Sequence, residues 1–132
     1  MAIQYSVTVR NNQLDQVEAT VGVSAKLQIR SGAAPASCAA ADSGSLLVEI
    51  TLPSDWMAAA ASGSKAKSGT WQGTGVASGT AAHFRLKDSA GTTTHMQGTC
   101  GIGTGDLQLD NTSIASGQSV TVTGFTINAG NA

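Results

Sequence analysis

Few residues in this chain are able to do chemistry. His83 and His95 fall on two stretches that read as hairpin partners, and partners of that kind can converge on one metal ion. The same reading puts both on the outward face beside Arg85 and Lys87, whose charges repel a cation. No carboxylate or thiol completes the ligand set there, so they read as exposed histidines. Gly101-Ile102-Gly103-Thr104-Gly105-Asp106 has the glycine density of a phosphate-cradling loop. It lacks the Lys-Ser/Thr ending, and a strand rather than a helix follows, so turn and bulge chemistry explains it. Calcium-binding β-roll repeats need tandem copies, and this stretch occurs once. The 15 serines include no Gly-x-Ser-x-Gly elbow. The expectation is a non-enzymatic protein with no catalytic residues, no cofactor and no metal. Cys38 and Cys100, with no Cys-x-x-Cys, read as two unbridged, buried thiols. Trp56 and Trp71 read as core residues, with a protein interface or a sugar-stacking platform as the alternatives.

Composition narrows the classes further. Of 132 residues, 21 are Ala, 16 Gly, 15 Ser and 15 Thr, so four small residue types supply half the chain. Small side chains fill a core poorly, and one domain with a modest core is what the length permits. Charged residues make up 11% and the net charge is −1, which gives no basic field to attract phosphate backbones, so nucleic acid is not an expected partner. No apolar run approaches the roughly 20 residues of a bilayer span, and no membrane association is expected. Met1–Ser6 has no basic start followed by an apolar stretch, which reads as a cytosolic product rather than a secreted one.

The elements that would position these residues are mostly short. Ile3, Val7, Leu14, Val17 and Val21 recur at helical spacing, which predicts a helix over about residues 4 to 21 closed by Gly22. The period then changes to two at Ala25, Leu27 and Ile29, predicting a half-buried strand. Residues 31 to 45 form a long loop containing Cys38. Leu46–Leu52 reads as a strand stopped by Pro53, and Ser54–Ala61 as one or two helical turns capped by Ser54. Residues 62 to 79 suggest short strands and bends. A hairpin follows whose three-residue loop, Ser89-Ala90-Gly91, sets Arg85 opposite His95 and Phe84 opposite Met96, with Phe84, Leu86 and Met96 on one face. Short strands at Leu107–Leu109 and Ser119–Ile127 complete the chain. The result is a mainly β fold, a β-sandwich or jelly roll of six to eight short antiparallel strands (residues 23–132) with one N-terminal α-helix (residues 1–22). The helical stripe is long for so small a sandwich, so Val7, Leu14, Val17 and Val21 are expected to be available to another chain, with Trp56 and Trp71 as a second contact.

Several segments together resemble a family. Tyr5-Ser6-Val7 leading into the helix, Ser24–Ala33, Leu52-Pro53-Ser54-Asp55-Trp56-Met57-Ala58, and the hairpin from Gly79–Arg85 to Asp88–Thr92 are similar to small virion structural proteins of tailed bacteriophages. The likeness spans nearly the whole chain. It implies a capsid decoration or cement protein, homo-oligomeric, that binds and stabilises the lattice of major capsid protein. By the same resemblance it is made in the host cytoplasm and located on the capsid surface of the virion. No catalytic residues carry over. The alternatives are a head-to-tail or tail structural component and a surface glycan-binding module.

Overall fold

The computed structural model describes residues 3–131. Helix α1 spans Val7–Val21. Its start is set by Ser6, whose backbone is extended and whose hydroxyl accepts from the Val9 N–H at 3.2 Å. Ile3–Ser6 therefore lie outside the helix, which corrects the expected start. Gly22, at φ 89°, ends the helix with its N–H on the Glu18 carbonyl, in a conformation that an L side chain rarely adopts.

Among the described residues ten strands follow: β1 (Lys26–Arg30), β2 (Leu46–Thr51), β3 (Ser64–Ala66), β4 (Gln72–Thr74), β5 (Gly79–Thr80), β6 (His83–Lys87), β7 (Thr94–Gly101), β8 (Leu107–Leu109), β9 (Ser113–Ile114) and β10 (Ser119–Asn128). The mainly β class with one N-terminal helix is as read from the sequence. The count exceeds the expected six to eight because β3, β4, β5 and β9 are pieces of two or three residues. The main sheet runs β2-β1-β6-β7-β8-β10-β3, and β4 pairs with the first part of β10. It is antiparallel except for β7 and β8, where Cys100 faces Leu107 in a parallel pair. The sheet curls until its ends meet. Val48 bridges Gly75, and the Val76 N–H donates to the Leu47 carbonyl at 2.8 Å. This closure satisfies the backbone groups that an open edge would expose.

The inner face of the curl holds the core, including Leu27, Ile29, Leu47, Ile50, Leu86 and Val122. Four of the five aromatics form one chain through it. Trp56 to Trp71, Trp71 to Phe125, and Phe125 to Phe84 are separated by 6.0, 5.6 and 5.7 Å between ring centroids. These rings supply volume that a chain rich in Ala and Gly otherwise lacks.

Two local expectations are corrected. Ser54–Ala61 is extended rather than helical: Met57 bridges Lys67, Ala58 donates to Ala66, and Ala61 exchanges backbone bonds with Ser64. Pairing with β3 and its flanks overrides the helix propensity of the alanines. The β6–β7 register also differs from the expected one, with Arg85 opposite Gln97 and Leu86 opposite Met96. The Asp88 carboxylate accepts from the backbone N–H of Thr92 and Thr93, which lengthens the turn, and an irregularity between Leu86 and Lys87 adds a further step. The shift at Phe84 is two residues, so Phe84, Leu86 and Met96 still share the inner face.

Candidate functional site

Three regions could carry function: the helix and the segment before it, the outer face of β6, and the loop of residues 101 to 106. The helix docks through polar groups. Asn11, Asp15 and Glu18 recur at helical spacing on one face and act as a substitute strand for the β3 hairpin. The Gly63 N–H donates to Asn11 Oδ1 at 2.9 Å, the Ala60 N–H to Asp15 Oδ1 at 3.2 Å, and the Met57 N–H to Glu18 Oε2 at 3.2 Å. The Lys65 ammonium, almost wholly buried, bridges Asp15 at 2.7 Å and Glu18 at 3.0 Å. Burial alone would lower the Lys65 pKa. The hydrogen bonds to both carboxylates outweigh it and raise the value above 10.5, while the Lys65 hydrogen bond, helped by the Ala60 N–H, lowers that of Asp15. The Trp56 indole N–H seals the far end by donating to the Gly22 carbonyl at 2.9 Å.

This docking changes the expected contact surface. Leu14 and Val21 are each 4% exposed and face their own domain. Trp56 and Trp71 lie in the core at 0% and 1%, so they offer no surface to a partner or a sugar. Val17 is half-buried, lining a hollow of about 210 Å³ that His95 closes from β7. Only Val7 of the six expected contact residues is exposed. It belongs instead to a run that the helical reading absorbed: Ile3, Tyr5, Val7 and Val9 are 71%, 36%, 48% and 41% exposed. The Tyr5 N–H is tied to the Asn131 carbonyl at 2.6 Å, which holds this run against the C-terminal end.

The outer face of β6 overturns a second expectation. His83, Arg85 and Lys87 are buried, because the loop of residues 31 to 45 folds over them. Arg85 organises that loop. One terminal nitrogen donates to the Ala40 carbonyl at 3.0 Å and to Asp42 Oδ1 at 2.6 Å, and the other to the carbonyls of Ser37 and Cys38 at 3.3 and 2.9 Å. Lys87 and Arg30 reach Asp42 Oδ2 at 2.6 and 3.2 Å, and the Gln97 amide donates to the Pro35 carbonyl at 2.7 Å. His83 Nδ1 lies 2.7 Å from the Gly32 carbonyl, so that nitrogen carries the proton, and Nε2 has no partner among the described residues. The Lys87 hydrogen bond leads the effects that hold the Asp42 carboxyl below 3.8, joined by the Arg30 and Lys87 charges and the Arg85 hydrogen bond against the opposing effect of burial.

Among the described residues no cluster of His, Cys, Asp and Glu is placed to hold a metal ion, and no helix is long and apolar enough to cross a membrane. Cys38 and Cys100 are free and half-buried; burial, with the Asp106 charge, pushes the Cys100 thiol up to about 12. The glycine-rich loop is held shut by Asp106, whose carboxylate accepts from the Thr99 N–H and hydroxyl at 3.0 and 3.2 Å. Hydropathy periodicity carried no signal for the burial of Arg85. Ser6, a capping residue two positions after Gln4, was the signal that Ile3 and Tyr5 precede the helix. Comparison of the chain with protein-family models, curated proteins and solved structures finds no match.

Proposed function

We propose that this protein is a non-enzymatic structural subunit of a tailed-phage virion, a decoration or cement protein that binds the lattice of major capsid protein as a homo-oligomer. The observation that carries the reading is that four of the exposed large apolar residues, Ile3, Tyr5, Val7 and Val9, fall within seven positions, whereas Val23, Val76 and Ile102 are exposed singly. Exposed apolar side chains gathered within seven residues at one end of a small domain suit a contact with another protein. Each of these partly exposed side chains is worth about 1 kcal/mol on burial, a weak contact singly that repetition across a lattice makes firm. The domain behind it is suited to a rigid part: its sheet closes on itself, and its covering loop is clamped by Asp42. Binding to a shell would add stability by mass action to a chain of small residues. The internal placement of Trp56 and Trp71 favours this reading over a glycan-binding module, which requires exposed aromatics in a row.

Co-sedimentation with shells of the cognate major capsid protein tests it. The wild type pellets with shells. The double variant Val7→Asp, Val9→Asp keeps its melting curve, because exposed positions tolerate polar residues, and stays in the supernatant. Equal pelleting of the two proteins would refute this contact surface, and failure of both to pellet would refute the capsid reading.

A further inference from the structure

The cavity between the covering loop and the turn after β6 has a chemistry that shell binding does not use. It measures about 640 Å³ and is lined by residues 38 to 42, Arg85, Lys87 and residues 92 to 94. Arg85 and Lys87 are two apart on one strand, so their side chains leave the same face roughly 6.6 Å from each other. With Arg30 from the neighbouring strand they make three cations sharing a single carboxylate, Asp42. The other groups that meet Arg85 are carbonyl oxygens, which orient the guanidinium without neutralising it. Asp88, the acid of the adjoining turn, is engaged by the Thr92 and Thr93 amides.

The donors in this cluster are not exhausted. Among the described residues Lys87 has an acceptor for one of its three N–H groups, although its side chain is only 7% exposed. Arg85 Nε is buried with no acceptor among the described residues, so Arg85 acts on the cavity through its charge rather than by presenting that N–H. The Thr93 and Thr94 hydroxyls at the rim make no hydrogen bond to the described residues. Positive charge in excess of its counter-ion, unspent N–H donors and rim hydroxyls, all beside an open cavity, are what a tetrahedral oxyanion requires. We propose that this cavity binds a phosphate group, as the free ion or as a small phosphate monoester, with Lys87 as the principal contact, the Arg85 and Arg30 charges as its field, and Thr93 and Thr94 as hydroxyl donors.

Titration of the full chain with inorganic phosphate, followed by amide NMR at constant ionic strength, tests the site. The expected result is a saturable shift at Thr93, Thr94 and the Arg85 Nε–H that chloride does not reproduce. Lys87→Met weakens binding about tenfold, the worth of one charge-assisted hydrogen bond. Thr93→Val, at an exposed position that leaves the Asp42 cluster untouched, weakens it about threefold as a neutral donor is lost, and it guards against loosening of the loop in the first variant. A second titration with glycerol phosphate separates the sources: tighter binding than inorganic phosphate assigns a monoester, and weaker binding assigns the free ion. A linear response shared by chloride, or a saturable one unchanged in both variants, would overturn the proposal.

Discussion

Replacing Asp42 by Ala leaves the clamp on the covering loop without its only carboxylate. Arg85 and Lys87 then keep their charges at 1% and 7% side-chain exposure with no counter-ion, and Arg30 loses its contact at 3.2 Å. Removing one partner of a fully buried pair costs about 3–5 kcal/mol. Asp42 is itself 32% exposed, so water takes over part of its role and the expected loss falls to about 2–3 kcal/mol. The pH dependence has a definite sign. Because the folded-state pKa of Asp42 is depressed, its contribution is complete above the ordinary value of 3.8 and disappears as pH falls through the lower folded-state value. Urea melts of wild type and Asp42→Ala should therefore differ at neutral pH and converge in acid. Amide exchange should quicken at the bonds that shape the loop, Ser31 N–H to the Ser45 carbonyl and Ala40 N–H to the Ser37 carbonyl, while the β1–β6 ladder is spared. A neutral-pH difference under ~0.5 kcal/mol, the scale of an ordinary surface change, would refute the clamp. A difference that persists unchanged in acid would refute its electrostatic origin.

The remaining expectations concern the core, the helix seam and the thiols. Phe84→Ala should cost about 3–5 kcal/mol and Arg85→Ala a comparable amount, one by leaving a cavity and the other by stranding Asp42 and the loop carbonyls; urea melts that leave Arg85→Ala near wild type would show the loop is not docked. Lys65→Met should destabilise the protein at neutral pH. The raised Lys65 pKa means that its contribution holds below 10.5 and is lost as pH rises through the higher folded-state value, so the gap from wild type should close in alkali, as melts across that range would reveal. Iodoacetamide should modify Cys38 before Cys100, whose thiol is held protonated up to about 12; mass mapping of the first adduct checks the order.

Local patterns carried much of the fold. Period-two alternation located β1, β2, β6 and β10 to within a residue or two, and Gly22 marked the end of α1. Strand faces were legible even where register was not, because a two-residue slip preserves the face. What stayed hidden was set by contacts distant in sequence. Arg85 looked solvent-facing because its cover, more than 40 residues upstream, is a loop of small residues with no periodicity of its own. Ser54–Ala61 has a capping residue and good helix formers, yet its amides are met by Asp15 and Glu18 from a helix and by pairing with β3. Val7 and Ile3 fit a helical stripe and an alternating exposed run equally well. The Ser6 cap leaves Ile3 outside the helix and Val7 in its first turn, and that shifts the candidate contact surface from the middle of the helix to its first turn and the segment before it.

Imaging tests most directly the proposed role of this chain as a cement for a capsid lattice. Phage particles lacking the protein, and the same particles after the purified chain is added back, can be compared by electron cryomicroscopy. A cement protein adds density repeated over the whole shell, contacting the major capsid protein through residues 3 to 9. Density confined to a single vertex as a ring of fixed copy number, or particles that gain no density at all, would contradict it.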